Sequence, residues 1–192
     1  GVELSNRYAP SYGLCFGSNA SLERVRNDSD TWFAFPDCPN MTLQNLTMNG
    51  TYSTMSDSAF KGWVKLVSYE IPEGIDAISE SAFESCTALE SVSFADGCTV
   101  ETIGSSAFAD CTALKKISIP SSITTIKREA FRGSGLTSLE LPDTVHDVAE
   151  YVLGQTQVQS FRFPCDLFTD IPVTRWSGED PAGGRGLVAW SN

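Results

Sequence analysis

The stretch SAFESCTALESVSF at residues 81–94 returns as SAFADCTALKKISIP at residues 106–120, twenty-five positions later. Self-similarity at a fixed offset indicates an array in which each copy is one structural unit. Anchored on the residue after the alanine, copies begin at Phe60, Phe83, Phe108 and Phe131, spaced 23, 25 and 23 residues apart. A weaker copy is anchored on Leu153, a further 22 residues on. The chain therefore contains five linked repeats.

Each repeat carries a second pattern, Φ-x-x-Φ-x-Φ with Φ apolar, five or six residues after its anchor. The alternation of β-branched and aromatic residues predicts one short strand per repeat, paired in parallel with its neighbours about 4.8 Å away. A proline often follows and ends the strand, because it has no N–H to donate. The triplets of the five repeats are Leu66/Tyr69/Ile71, Leu89/Val92/Phe94, Leu114/Ile117/Ile119, Leu136/Leu139/Leu141 and Val158/Phe161/Phe163. An incomplete earlier copy is Leu43/Leu46/Met48.

Two further apolar positions follow each triplet, as Ile123 and Ile126 do, and fit a short extended or turn segment on the opposite side of the coil. One repeat is longer because residues 95–99 include two extra positions. The S-x-x-A-F run begins with a residue able to cap a helical turn, and its phenylalanine is expected in the core. A unit of this size buries too little surface to fold alone, so the repeats must stack. The predicted fold is a solenoid of about six coils.

The combined pattern A-F-x-x-C-x-x-L-x-x-Φ-x-Φ-P-x-x-Φ-x-x-I-G/S resembles the BspA-like leucine-rich repeat of surface proteins, over residues 43–171. The chain departs from it at residues 151–153, at Trp63 in the cysteine position, and at the insertion with Cys98. The resemblance implies a leucine-rich repeat solenoid, an extracellular or cell-surface location, and a role in adhesion or recognition without catalytic residues. We expect an N-terminal capping region at 1–39, the solenoid at 40–171, and a C-terminal tail or cap at 172–192.

Composition narrows the function classes. The 192 residues carry a net charge of −11, which argues against nucleic acid and anionic membranes as partners, because both attract basic faces. No apolar run reaches the length of a membrane span. The chain begins at Gly1 rather than Met, as a processed, trimmed or recombinant chain would.

Asparagines are concentrated in glycosylation sequons. Five of the seven precede x-Ser/Thr, which is more than chance predicts for this Ser/Thr content, although a polar surface also generates sequons freely. The pattern favours N-glycosylation of a secreted protein, with all the sugar near one end of the rod. The sites are Asn19, Asn27, Asn40, Asn45 and Asn49.

The six cysteines are even in number, as in proteins from an oxidising compartment. Cys15 and Cys38 flank the N-terminal region, which resembles the disulfide-tied caps of leucine-rich repeats and implies a bridge between them. Cys86 and Cys111 occupy equivalent positions one strand spacing apart, so they are either a disulfide or a pair of buried thiols. The partners of Cys98 and Cys165 stay open, and the spacing of the cysteines is not that of a metal site.

The sequence contains few residues that are candidates for a catalytic site. His146 is the single histidine, and the alternation of Val145 and Asp147 around it predicts a solvated position. The GGRG segment at 183–186 has the wrong length and flanks for a phosphate loop. We therefore predict a protein without catalytic, metal or cofactor sites. The alternative hypothesis, that the protein is a hydrolase, is less favoured than a non-catalytic role.

The repeated surface is the candidate binding site. The resemblance implies a concave face, built by strand residues that point away from the core. Its rows lack tryptophan and tyrosine, so a merely solvated sheet face is the alternative to a site for a protein or glycan ligand. One row is Thr47, Glu70, Ser93, Ser118, Glu140 and Arg162, and its neighbour is Asn45, Ser68, Ser91, Lys116, Ser138 and Ser160.

The ends of the stack offer a different function. Parallel strands leave unpaired backbone at both terminal coils, and extended segments can pair with it. Residues 1–4 and the apolar tail with Trp176, Leu187, Val188 and Trp190 are candidates. Docking onto the same chain gives a cap, whereas docking onto a neighbour gives a head-to-tail extracellular filament.

Overall fold

The computed structural model describes residues 3–5, 24–26, 45–46 and 55–164, and short strands are its regular elements. Each strand has two to four residues. They are β1 (Glu3–Ser5), β2 (Arg24–Arg26), β3 (Asn45–Leu46), β4 (Ser68–Ile71), β5 (Ala77–Ile78), β6 (Ser91–Phe94), β7 (Thr102–Ile103), β8 (Thr125–Ile126), β9 (Ser138–Glu140), β10 (Asp147–Val148) and β11 (Ser160–Arg162).

Every strand pair in the described residues is parallel, and from β3 onward each pair joins successive repeats. The strands of the predicted Φ-x-Φ pattern form two sheets, β3-β4-β6 and β9-β11. The second apolar pair of each repeat forms a four-stranded sheet in the order β5-β7-β8-β10. The predicted solenoid is confirmed. Within the described residues the second sheet marks four complete coils, compared with about six expected for residues 40–171, and β3 and β11 extend the stack at its two ends.

The register of the first side follows the repeat. Tyr69 pairs with Val92 and both are buried, whereas Glu70 pairs with Ser93 and both are exposed. β4 ends directly before Pro72, because proline cannot donate to a ladder. Residues 114–119, between β6 and β9, keep the in-and-out alternation but belong to no sheet.

The third side, here called the turn face, comprises residues 57–62, 80–85, 105–110, 128–133 and 150–155. No helix forms there in the described part of the chain, so the expected helical turn is replaced by turns. The hydroxyl of Ser79, the expected capping residue, instead donates to the carbonyl of Met55. Alternate N–H groups donate to the next coil, as Phe83 does to Ala107 (2.8 Å) and Phe108 to Ala130 (2.8 Å).

A column of phenylalanines fills the middle of the coils, as predicted. The rings of Phe60, Phe83, Phe108 and Phe131 are buried and follow one another at centroid distances of 5.1, 5.2 and 5.5 Å. At the fifth position stands Leu153, which is only partly buried. Each of these four repeats therefore contributes one ring to the column, and successive rings lie one coil apart.

Two coils differ in length from their neighbours. The insertion at 95–99 forms a turn with Gly97 at φ +81°. The spacing from anchor to the first apolar residue of the triplet is six after Phe60, Phe83 and Phe108 but five after Phe131 and Leu153, and Gly135 lies in the first of the shortened segments. A Cβ at Gly135 would lie 2.1 Å from the Thr112 carbonyl oxygen, so only glycine fits there.

Candidate functional site: the ladder face

The ladder face comprises the outward side chains of residues 67–70, 90–93, 115–118, 137–140 and 159–162. β4 and β6 align Ser68 with Ser91 and Glu70 with Ser93, and β3 places Asn45 opposite Ser68. β9 and β11 align Glu140 with Arg162. The register of these pairs matches the predicted rows within each sheet, whereas Lys116 and Ser118 belong to no sheet and Thr47 lies outside the described residues. All six predicted binding residues are exposed: Glu70, Ser93, Lys116, Ser118, Glu140 and Arg162.

The charge of the ladder face differs from that of the whole chain. Three carboxylates and three cations balance on it, although the chain carries a net charge of −11. Two of the cations, Lys115 and Lys116, are adjacent and exposed in the middle of the face, and the third, Arg162, lies on β11 at its end. The carboxylates are Glu70, Glu90 and Glu140.

The centre of the ladder face is also where its sheet is interrupted. No backbone hydrogen bond joins β6 to residues 114–119 in this described stretch, and on the other side Thr137 N–H donates to the Lys115 carbonyl (3.2 Å). The Lys115 ammonium donates to the Thr112 carbonyl (3.2 Å). The coil of residues 114–119 therefore combines backbone groups that do not pair with β6 and the two ammonium groups of Lys115 and Lys116.

The buried cysteines are thiols. Cys86 and Cys111 are free in the structure, so the disulfide considered above is absent and the buried-thiol alternative applies. Each thiol donates to a carbonyl one coil back, Cys86 to Phe60 (3.1 Å) and Cys111 to Phe83 (3.0 Å). Burial raises the pKa of Cys86 to about 12 and that of Cys111 well above its ordinary value. Such protonated sulfurs are poor nucleophiles.

The described residues offer no assembled catalytic or metal site. His146 is exposed, as predicted, and its backbone N–H donates to the Thr124 carbonyl (3.1 Å). Cys98 is a half-buried free thiol in the inserted turn. Within the described ranges, no three His, Cys, Asp or Glu side chains group closely enough to hold a metal ion. The same ranges contain no helix with the length and apolarity of a membrane span.

Several predicted sites lie outside the described residues. β1 does pair with β2 within the chain, so Glu3–Ser5 already has a partner strand. The remaining residues of the expected cap at 1–39 fall outside, as does the expected tail at 172–192. Those sites are Asn19, Asn27, Asn40, Asn49, Cys15, Cys38, Cys165, Trp176, Leu187, Val188 and Trp190.

Solved bacterial structures share this architecture. A leucine-rich repeat protein from Bacteroides ovatus is 29% identical over 59% of this chain, with a TM-score of 0.54, and 29% of its own length is covered. A leucine-rich repeat protein from T. pallidum is 26% identical over 63% of this chain and 59% of its own, with a TM-score of 0.59. The chain thus spans less than two thirds of either structure.

A leucine rich cell surface protein from Faecalibacterium prausnitzii shows the same fold at 19% identity, with a TM-score of 0.62 over 82% of this chain and 43% of its own. No curated protein matches the chain significantly. The family described as BspA type leucine rich repeat region matches six copies, at residues 31–100 and 96–173. The repeated sequence and the stacked parallel coils agree with this match, and the chain belongs to the BspA-type leucine-rich repeat family.

Proposed function

We propose that the chain is a non-catalytic recognition module of a cell-surface or secreted protein, which binds a protein or glycan ligand through the ladder face. The observation that carries this proposal is the register of the exposed rows, in which Glu70 lies beside Ser93 and Glu140 beside Arg162. A surface whose polar groups repeat at the coil spacing can meet an extended partner at several points. The family and its surface-protein members support this role.

The location in this proposal rests on the same family likeness, because one similar structure is of a cell surface protein. The sequons add a chemical prediction, since Asn45 lies on β3 in register with Ser68, at one end of the ladder face. N-glycosylation there would shield the first coil and leave the central coils open to a ligand. Mass spectrometry of the native protein would test the modification.

The test of binding compares two serines of one coil. Ser118 is exposed on the ladder face, whereas Ser121 is exposed just beyond Pro120. The labelled chain would be applied to an array of extracellular proteins and glycans. We expect Ser118→Tyr to weaken the strongest binding at least tenfold, because a bulky ring separates the surfaces, while Ser121→Tyr leaves it unchanged. Equal binding by both variants would place the ligand elsewhere.

A further inference from the structure

Tyr151 breaks the pattern of the turn face. Its repeat position holds Ser58, Ser81, Ser106 or Glu129 in the other coils, and all five residues have a left-handed backbone, with φ between 53° and 57°. A large aromatic residue is uncommon in that conformation. Tyr151 is also 40% exposed, and no other large hydrophobic residue of the described part is exposed. The coil therefore presents a ring to solvent where its neighbours present small or charged groups.

A guanidinium is held against this ring. The Cζ atom of Arg128 lies 5.4 Å from the Tyr151 ring centroid, within the range of a cation–π contact. Arg128 Nε donates to Glu129 Oε1 (3.1 Å), and the side chain is 62% exposed. Its two terminal nitrogens make no hydrogen bond to a described residue. The ring and Glu129 thus orient a fork of free N–H donors.

The stem of Arg132 also lies near the tyrosine. A Cβ added to Gly154 would lie 3.7 Å from Tyr151 Cβ and 3.8 Å from Arg132 Cγ, so the arginine stem and the tyrosine are neighbours across this glycine. Arg132 Nη1 is 3.9 Å from Asp110 Oδ2, which is a long contact for an ion pair. The Arg132 stem therefore lies beside the tyrosine, whereas its guanidinium is directed toward Asp110 in the neighbouring coil.

We propose that Arg128 and Tyr151, with the stem of Arg132 beside them, form a second binding site, separate from the ladder face, for a protein segment that carries a carboxylate beside an apolar side chain. The Arg128 fork matches the two oxygens of a carboxylate, and the ring offers apolar area to the adjacent side chain. Tyrosine and arginine are the residue types that dominate binding at protein interfaces. Glu129 and Glu150 border the site, so a single carboxylate fits it better than a polyanion.

The probe is a soluble ten-residue peptide with two Leu-Glu pairs between Gly-Ser linkers, titrated into the ¹⁵N-labelled chain. We expect it to shift the Arg128 Nε–Hε signal, whereas the same peptide with Gln for Glu leaves that signal in place. Arg128→Gln and Tyr151→Asn should each weaken binding about tenfold or more. Lys127→Gln, a loss of charge at the preceding exposed residue, is the matched control and should bind as the wild type does.

Folding does not confound this test. Asparagine tolerates the left-handed backbone better than tyrosine, so Tyr151→Asn should melt no lower than the wild type. The proposal fails if the Gln peptide binds equally well, or if the signals that move belong to the Lys115–Lys116 coil instead. It also fails if no signal moves at peptide concentrations up to about 5 mM, because the dissociation constant would then be weaker than millimolar.

Discussion

At the scale of single residues, one position in the core departs from the chemistry of its repeat. Ser134 occupies the place that Cys86 and Cys111 hold in the two preceding coils. Both thiols donate to a carbonyl, whereas the buried Ser134 hydroxyl has no hydrogen-bond partner. A buried hydroxyl without a partner costs about 1–3 kcal/mol, more than a buried thiol, whose hydration is weak.

We therefore expect Ser134→Ala to raise the free energy of unfolding by about 1 kcal/mol, and Ser134→Cys to do the same. Chemical denaturation monitored by circular dichroism would measure both. Ser121→Ala, at an exposed serine, is the control and should change stability by less than about 0.5 kcal/mol. A loss of stability in Ser134→Ala would mean that the hydroxyl has a partner in solution.

At the scale of elements, the phenylalanine column joins the coils. Phe108 stacks on Phe83 and on Phe131 with interplanar angles of 3° and 5°, and it is fully buried. Its truncation removes contacts with two coils and leaves a cavity that the parallel strands cannot easily close.

We expect Phe108→Ala to destabilise the fold by about 3–5 kcal/mol. Leu153→Ala, at the same repeat position in the partly buried last described coil, should cost less because fewer contacts are lost. Thermal and urea unfolding of the two variants would give the comparison. An equal loss at both positions would contradict a stack in which each ring depends on its two neighbours.

The strands, the coil order and the register were predictable from sequence because the same apolar spacing fixes which side chains share a face in every copy. Glu70 lies beside Ser93 for this reason. The structure of the turn face was harder to predict. The sequence would allow Ser79 to cap a helix, but alternate N–H groups on this face donate to the next coil, and such hydrogen bonds depend on tertiary structure rather than on local sequence.

The pairing of Arg128 with Tyr151 was missed from sequence, although a signal existed. Tyr151 replaces a serine or glutamate of the repeat, which marks it as unusual. What the sequence does not contain is the left-handed backbone that directs the ring, or the approach of an arginine from the preceding coil. Contacts between coils depend on side-chain directions that a linear period leaves open.

At the scale of the whole molecule, acidic charge is gathered on the side of the second sheet. Asp76 and Glu101 are exposed in successive coils, and Glu101 N–H donates to the Asp76 carbonyl (2.9 Å), so their carboxylates are neighbours. Like charges at such positions repel and oppose compact folding. Asp147 on β10 is exposed as well, and further exposed carboxylates in the turns that precede this sheet are Glu73, Asp96 and Asp143.

We expect Glu101→Gln to raise the free energy of unfolding by about 0.2–1 kcal/mol at low salt. The gain should shrink in about 0.5 M NaCl, because salt screens exposed charges. Urea unfolding at both salt concentrations measures the difference. Glu140→Gln, on the balanced ladder face, is the control and should show a smaller gain. Stability that falls as salt is added to the wild type would argue against repulsion on this side.

The interruption of the ladder-face sheet between β6 and β9 affects how the solenoid bends. Hydrogen-bonded ladders run unbroken along the second sheet and the turn face, while the ladder face is open between β6 and residues 114–119. A beam that is bonded along two sides and slit on the third bends most easily by opening or closing the slit. We therefore expect the solenoid to bend most easily at the Lys115–Lys116 coil, which would let the ladder face adjust its curvature to the ligand proposed for it.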